Sequence, residues 1–505
     1  MRSAARPVVV VGSGAAGLSA ALAATHGGAD VVVLEADALI GGTTAISGGI
    51  VWAPGHPFGI DDSADDALAY LRELATGDVD DDLMAVFAHD AARVVVTIAE
   101  QTPLRWQALR GWPDYHSELP HGVDGGRSIW PETLVTPDAI AARVRRPFEY
   151  AVETLEAPAN DGVALRGPVR GHTLIAGLLM ALTDLGVEVR TGTRVSGLVM
   201  DGDAVTGVRV GDEVVPGRVV LATGGFQWDP RLAATFLPAP GVAPLGTPGC
   251  RGDGLRMAMA AGADLANMTE GWWMPALHAP GEELDGQPFW RSLHAERAQA
   301  GSILVDRNGR RFVDEAQNYA DVGRAMFRFD AATHAWPAAP CWLVFDATYR
   351  ARHPVGPLLP SDPDPDWIAT APTVEALAME IGVDATELGA TVARFNDGAV
   401  RGVDPDFGRG SLPYDRWVGG ATLGPLTAAP YYAVTVSVGC LGTKGGPRTD
   451  DRGRVRRADG SVVAGLYAAG NAAASPFGSA TAAGGATIGP ALVFGTRAGE
   501  AAAHD

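Results

Sequence analysis

The chain opens on a run of β-branched residues, Val8 to Val11, short and apolar throughout, as a parallel strand buried on both faces requires. Small residues follow at once, Gly12-Ser13-Gly14-Ala15-Ala16-Gly17, and then a helix-forming stretch from Leu18 to Ala24. Gly27-Gly28 breaks the helix, and a second apolar run, Val31 to Leu34, ends on Glu35. The pattern predicts a βαβ unit of about thirty residues. Two later runs close on small residues in the same way: Val219-Val220-Leu221 before Ala222-Thr223-Gly224-Gly225, and Leu466-Tyr467-Ala468-Ala469 before Gly470-Asn471. Between Arg194 and Val220, turns at Asp201-Gly202-Asp203 and Gly211-Asp212 predict short antiparallel strands leading back into the main sheet.

In such a unit Gly12 permits the tight turn, Gly14 lets the backbone approach a pyrophosphate, and Gly17 allows helix to pack closely on strand, with the helix N-terminus facing the anion. Glu35, followed by Ala36, stands where a carboxylate accepts hydrogen bonds from ribose hydroxyls and repels a 2′-phosphate, so NADP is disfavoured. Just beyond, Gly41-Gly42-Thr43-Thr44-Ala45-Ile46-Ser47-Gly48-Gly49 supplies small and hydroxyl residues suited to lie beneath a pyrophosphate and a flavin ring. An NAD protein needs no such stretch, so the expected cofactor is FAD. Gly42, Thr43, Thr44, Ser47, Gly48 and Gly49 join Gly12 to Gly17 as expected cofactor contacts. Ala222, Thr223, Gly224, Gly225, Gly470 and Asn471 complete the set on the later strands.

Composition narrows the class. Glycine is abundant, 65 of 505 residues, but not periodic. Acids outnumber bases 59 to 39, and the net charge of −20 disfavours nucleic acid and anionic lipid as partners. Three dispersed cysteines, Cys250, Cys341 and Cys440, point to a reducing compartment without a disulfide framework or metal site. The residues before the first strand hold no signal peptide, and no apolar stretch of about eighteen residues signals a membrane span. The expectation is a cytoplasmic protein of several domains.

The ordered set of FAD segments resembles the flavoprotein family that joins fumarate reductases to 3-ketosteroid dehydrogenases. Further runs look like the ketosteroid branch: Asp114-Tyr115-His116, Gly125-Gly126-Arg127-Ser128, Trp272-Trp273-Met274-Pro275, Arg311-Phe312-Val313-Asp314-Glu315, Leu441-Gly442-Thr443-Lys444-Gly445-Gly446 and Gly485-Ala486-Thr487-Ile488-Gly489-Pro490-Ala491. The resemblance implies an α/β fold in which a Rossmann-like FAD-binding domain, residues 1–268 and 436–505, is split by an inserted α+β catalytic domain, residues 269–435. Gly489, Pro490 and Ala491 then fall at a helix entry facing the flavin, and the absence of histidine between Gly41 and Gly49 implies noncovalent FAD.

The resemblance also implies the chemistry. Converting a saturated ketone to an enone needs a base at the α-carbon, a hydride acceptor and donors on the carbonyl oxygen, where enolate charge develops. Tyr319 falls where ketosteroid dehydrogenases have their proton-abstracting tyrosine and fumarate reductases an arginine; its phenol, ordinarily near pH 10, must be shifted downward to act as a base. Gly485 matches the amide that binds the ketone oxygen. Thr481 stands where the Δ1-type enzymes have a second tyrosine, a departure that puts steroid specificity in question. The third family tyrosine falls on Tyr115 or His116. Trp272, Trp273 and Met274 are candidates for an apolar wall. The expected activity is desaturation of a cyclic ketone with an unknown electron acceptor; the same machinery run backwards is an ene-reductase, and loss of catalysis would leave a flavin-binding protein.

Overall fold

The computed structural model describes residues 7–146 and 170–505. Its fold is mixed α/β. One sheet has six strands in the order Arg454–Arg456, Val462–Ala468, Arg218–Leu221, Val8–Val11, Val31–Leu34 and Glu188–Arg190. Neighbours are parallel except at the Arg454–Arg456 edge. Val8, Val9 and Val10 are fully buried between helices and sheet, which explains their unbroken apolar character. Each such side chain contributes about 1.5–3 kcal/mol on burial. The helix Ala15–His26 lies against the C-terminal helix Ile488–His504 so closely that a Cβ on Gly499 would sit 2.1 Å from the Ala20 carbonyl oxygen. The expected antiparallel excursion is present as Gly197–Asp201, Ala204–Val210 and Glu213–Pro216, and its chain returns through Arg218–Leu221.

A second, seven-stranded sheet is built around Tyr431–Thr443, which pairs with Gly271–Leu277, Cys341–Asp346, Ala243–Pro244 and Ala369–Ala371. The expected return to the first domain, at residue 436, falls inside this 13-residue strand. Its first half fills the second core with Tyr432, Val434, Val436 and Val438; its end carries Leu441 to the first lobe. Strand Ala243–Pro244, from the first expected segment, also belongs to this sheet. A small antiparallel sheet of Val51–Trp52, Ser128–Pro131 and Trp106–Ala108 joins the first lobe's core beside helices Ala64–Leu74 and Asp81–Gln101. Among the described residues no helix is long and apolar enough to cross a membrane.

Candidate active site

A cleft of about 1020 Å³ opens where Val8–Val11, Val31–Leu34 and Arg218–Leu221 end. Gly12, Ser13, Gly14, Ala15, Ala16, Glu35, Ala36, Gly42, Thr43, Thr44, Ala222, Thr223, Gly224, Gly470, Asn471 and Ala491 line it, as the sequence leads one to expect. Gly17, Ser47, Gly48, Gly49, Gly225, Gly489 and Pro490 do not. Several of these build the wall from behind: Gly17 lies under the Gly12 carbonyl, Gly225 against Thr443 Oγ1, and Gly489 against the Trp52 carbonyl. Gln227, Thr247, Leu441, Thr487 and Ile488 take lining positions the sequence pattern did not single out.

The turn that opens the cleft is rigid. Gly12 has φ +106°, and a Cβ there would meet the Ala222 carbonyl oxygen at 2.4 Å. Glu35 accepts from the Ser13 amide at 3.0 Å and the Asp37 amide at 2.9 Å, while Ser13 Oγ accepts from the Gly41 amide at 2.9 Å. Burial raises the Glu35 pKa, and these donors oppose the rise. Acid, glycine turn and hydroxyl-rich helix Gly42–Ile46 are thus locked to one another before any ligand arrives.

Tyr319 begins the helix Tyr319–Ala325, whose first turn is capped by the Asn318 side chain accepting from the Asp321 amide at 3.0 Å. The preceding segment is pinned by buried ion pairs of Arg311 with Glu315 (2.6 Å) and Asp404 (2.7 Å), and of Arg409 with Glu315 (3.2 Å). Half-buried Tyr319 packs edge-on against Tyr115, ring centroids 5.3 Å apart, and against His294 at 5.5 Å. Tyr414 closes the cluster, 5.0 Å from the Tyr115 ring and with its hydroxyl 3.3 Å from His294 Nε2. Trp112 and Trp417, 4.3 Å apart and half-buried, form the rim. On its other side Tyr319 packs on Leu245, Met274 and Ala276, the group that Leu441 of the cleft also touches. Burial pushes the Tyr319 phenol up from its ordinary value, opposite to the downward shift expected of a base; the Tyr115 hydroxyl and the Arg297 guanidinium draw it part of the way back. The buried Tyr115 hydroxyl lies beside the phenol but outside the geometry of a full hydrogen bond.

The loop from Thr481 to Gly485 is tied to this cluster through Tyr115 and is held at several points. Ala482 O accepts from the Tyr115 amide and the Tyr70 hydroxyl, both at 2.9 Å; Gly484 O accepts from Ser128 Oγ at 2.8 Å; Gly485 O accepts from the Trp52 amide at 3.1 Å and the Gly489 amide at 2.9 Å. Trp52 is fixed in turn, donating its indole N–H to Asp114 at 3.0 Å, and Asp114 pairs with buried Arg127 at 2.8 Å. With both carbonyls engaged, the Gly485 N–H finds no partner among the described residues. Fully buried Lys444 braces the loop from behind, donating to Ser479 O (2.9 Å) and Ala480 O (2.6 Å) and standing 3.4 Å from Thr481 Oγ1; burial lowers its pKa to about 7.

The family model described as "FAD binding domain" matches residues 7–488. The chain is 38% identical to 4-oxocyclohexanecarboxylate 2-dehydrogenase of Sinomonas cyclohexanicum, across 99% of this chain and 94% of that protein. It is 34% identical to 3-oxosteroid 1-dehydrogenase of Mycobacterium tuberculosis, across 97% and 96%. The chain belongs to this flavoprotein family. The crystal structure of 3-ketosteroid Δ1-dehydrogenase from Sterolibacterium denitrificans, in complex with 1,4-androstadiene-3,17-dione, superposes with a TM-score of 0.90 at 32% identity, covering 99% of this chain and 100% of that one. This flavoprotein is therefore an FAD-dependent oxidoreductase of the ketosteroid dehydrogenase type, and its curated relatives are dehydrogenases of cyclic ketones.

Of the residues the sequence singled out, the structure brings Tyr319 and Tyr115 together and ties Tyr115 to the loop of Thr481 and Gly485. His116 points elsewhere: its Nε2 meets Asp321 at 2.8 Å and its Nδ1 meets Glu118 at 3.0 Å, carboxylates that raise its pKa to about 9 against the opposing cost of burial. The Trp272–Met274 run splits by strand alternation. Trp272 donates to Asn471 Oδ1 at 3.0 Å at the cleft and Met274 packs with Tyr319, whereas Trp273 turns into the second core against Phe327. Sequence reasoning missed Trp112, His294, Arg297, Tyr414 and Trp417. They come from three separate stretches of chain, the loop at Trp112, the turn at residues 294–297 and the helix Pro413–Gly419, and only the aromatic density of Pro413-Tyr414-Asp415-Arg416-Trp417 offered a signal.

Proposed function

We propose that this flavoprotein desaturates a saturated cyclic ketone at the α,β bond, with Tyr319 as the base and the Gly485 amide as the donor to the ketone oxygen. The observation that supports this reading is that Tyr115, packed on Tyr319, donates its amide to the loop whose Gly485 N–H has no partner among the described residues. A ketone oxygen accepting from that amide leaves its α-carbon facing the aromatic cluster, and the amide strengthens its hydrogen bond as enolate charge grows. Tyr319, its own proton first released to solvent, takes the α-proton onto its phenolate oxygen, and Tyr115 orients that ring. Thr481 carries a hydroxyl able to donate to the same ketone oxygen. The aromatic rim and Met274 present flat apolar surface to a ring and exclude water from it.

Noncovalent FAD fits the cleft. Gly12 to Ala16, with Gly42 to Thr44, would hold the pyrophosphate, and the Glu35 carboxylate, whose lone pairs are not all used by Ser13 and Asp37, would hold the ribose. Ala222 to Gly224, Gly470, Asn471, Thr487, Ile488 and Ala491 would line the remainder. The chemistry FAD supplies when bound is acceptance of the β-hydride. In this reading residues 269–435 carry the base, and the two flanking segments carry the cofactor and the amide donor.

The test is a panel of steroid and monocyclic saturated ketones mixed anaerobically with the oxidised holoprotein. Bleaching of the flavin by at least one supports desaturation. Bleaching by none, with reoxidation of the reduced flavin by enones, makes the protein an ene-reductase; neither response makes it a flavin-binding protein without this activity.

A further inference from the structure

Behind the aromatic cluster lies a buried guanidinium. Arg297 is wholly inaccessible; its Nε donates to Leu293 O at 3.2 Å and its Nη1 to Glu315 O, but among the described residues its Nη2 has no hydrogen-bond partner. Among the described residues it forms no ion pair, whereas buried Arg127, Arg311 and Arg409 each hold a carboxylate. Burying an unpaired cation is costly, and a protein retains one where a negative charge forms close by. The groups facing Arg297 are Tyr414 from the helix Pro413–Gly419, Tyr115 and Tyr319 from the first cluster, His294 and Glu296 from its own turn, and Asp314 and Arg409 from the neighbouring loops. Burial, together with Asp415, raises the Asp314 pKa, and burial raises that of Glu296; among the described residues neither carboxylate forms an ion pair with Arg297. Burial and Arg297 together lower His294 to about 3, which keeps that ring neutral. Burial raises the Tyr115, Tyr319 and Tyr414 phenols, and Arg297 opposes that rise in all three.

We infer that Arg297 is a positioning residue for the reaction, a fixed buried cation that stabilises the negatively charged, proton-accepting form of the Tyr319–Tyr115 pair, a charge that is neutralised when the α-proton is taken. It touches neither substrate nor cofactor; it acts through the phenols. Charge and position are both required: two carbonyls hold the guanidinium in place, and the free Nη2 leaves part of its charge unspent. The inference rests on Tyr319 as the base.

Three variants of the holoenzyme test it, each with flavin content and the pH profile of kcat/KM. Arg297→Gln displaces the ascending limb to higher pH by at least one unit, with turnover near pH 7 down tenfold or more. Arg297→Lys keeps the charge and restores a limb close to that of the parent. A glutamine variant whose rate falls equally at every pH, with no displacement, overturns the inference, as does an unchanged profile. Should the glutamine variant not fold, the lysine variant decides alone: flavin-loaded protein with an undisplaced limb supports a charge role, and a limb displaced by a unit or more refutes it. Tyr319→Phe separates the two readings. Full turnover there removes the base itself, whereas a large loss there beside an undisplaced Arg297→Gln profile removes Arg297 alone.

Discussion

Gly485→Ala isolates the amide donor. Gly485 has φ +94°, and a Cβ built on it would lie 2.5 Å from Trp52 N, 2.7 Å from Val51 C and 2.8 Å from Ile50 C. All three are backbone atoms of a strand and its approach, and that strand is tied to Ser128–Pro131 by its ladder, so the neighbour does not yield. A left-handed L-residue costs about 1–2 kcal/mol, and overpacking a closed site costs about 1–3 kcal/mol more. The loop relieves this by moving, which breaks the Trp52 N to Gly485 O bond and swings the amide away. Losing one such donor to a developing oxyanion lowers kcat by about 100- to 1000-fold. Gly484→Ala is the control. Its Cβ would meet the Trp112 ring at 2.8–3.1 Å, but that side chain is half-buried on the rim and can turn aside, so the expected fall is less than tenfold. The assay is steady-state turnover of a cyclic ketone with an artificial electron acceptor, beside flavin content and thermal unfolding of each variant. A flavin-loaded Gly485→Ala with parental kcat refutes the donor role.

Two further predictions concern the cofactor and pH. Gly12→Ala places a methyl 2.4 Å from the Ala222 carbonyl at a φ of +106°, so the purified variant is expected to lose most of its flavin, read from the flavin-to-protein absorbance ratio; full occupancy would show the turn to be irrelevant. His116 has a folded-state pKa raised from 6.5 to about 9, so its contribution to stability is fully present below pH 6.5 and is lost as pH rises through about 9. That displacement is worth about 3 kcal/mol: His116→Gln loses this much against urea at pH 6, and the gap closes near pH 10. A gap independent of pH would mean that the His116–Asp321 pair does not carry the effect.

The cofactor side was legible in the sequence because its signals are local. A four-valine strand, a glycine turn and an acid at the next strand's end lie close along the chain, and each residue type is dictated by a contact with backbone. The limits of that reading are equally physical. Gly17, Gly225 and Gly489 are dictated by packing behind the cleft, and a sequence does not distinguish a glycine that faces a ligand from one that faces another strand. On the proposed substrate side, Tyr319, Tyr115, Thr481, Gly485 and Met274 were singled out through resemblance. Tyr414 reaches the cluster from the helix Pro413–Gly419 and His294 and Arg297 from one turn more than a hundred residues earlier, and burial rather than spacing gives them meaning. The break expected at residue 436 fell within the long strand because Tyr431–Thr443 is buried over most of its length and carries no glycine until Gly439, so nothing near residue 436 marks its course from one sheet towards the other lobe.

The central claim is that the Tyr319 phenol takes the α-proton of a bound cyclic ketone. Rapid anaerobic mixing of a reactive saturated ketone with oxidised holoprotein, parent beside Tyr319→Phe, tests it most directly. Bleaching in the parent, slowed about 100-fold or more in a variant of equal flavin content, is the predicted result; equal rates in the two proteins would contradict the account.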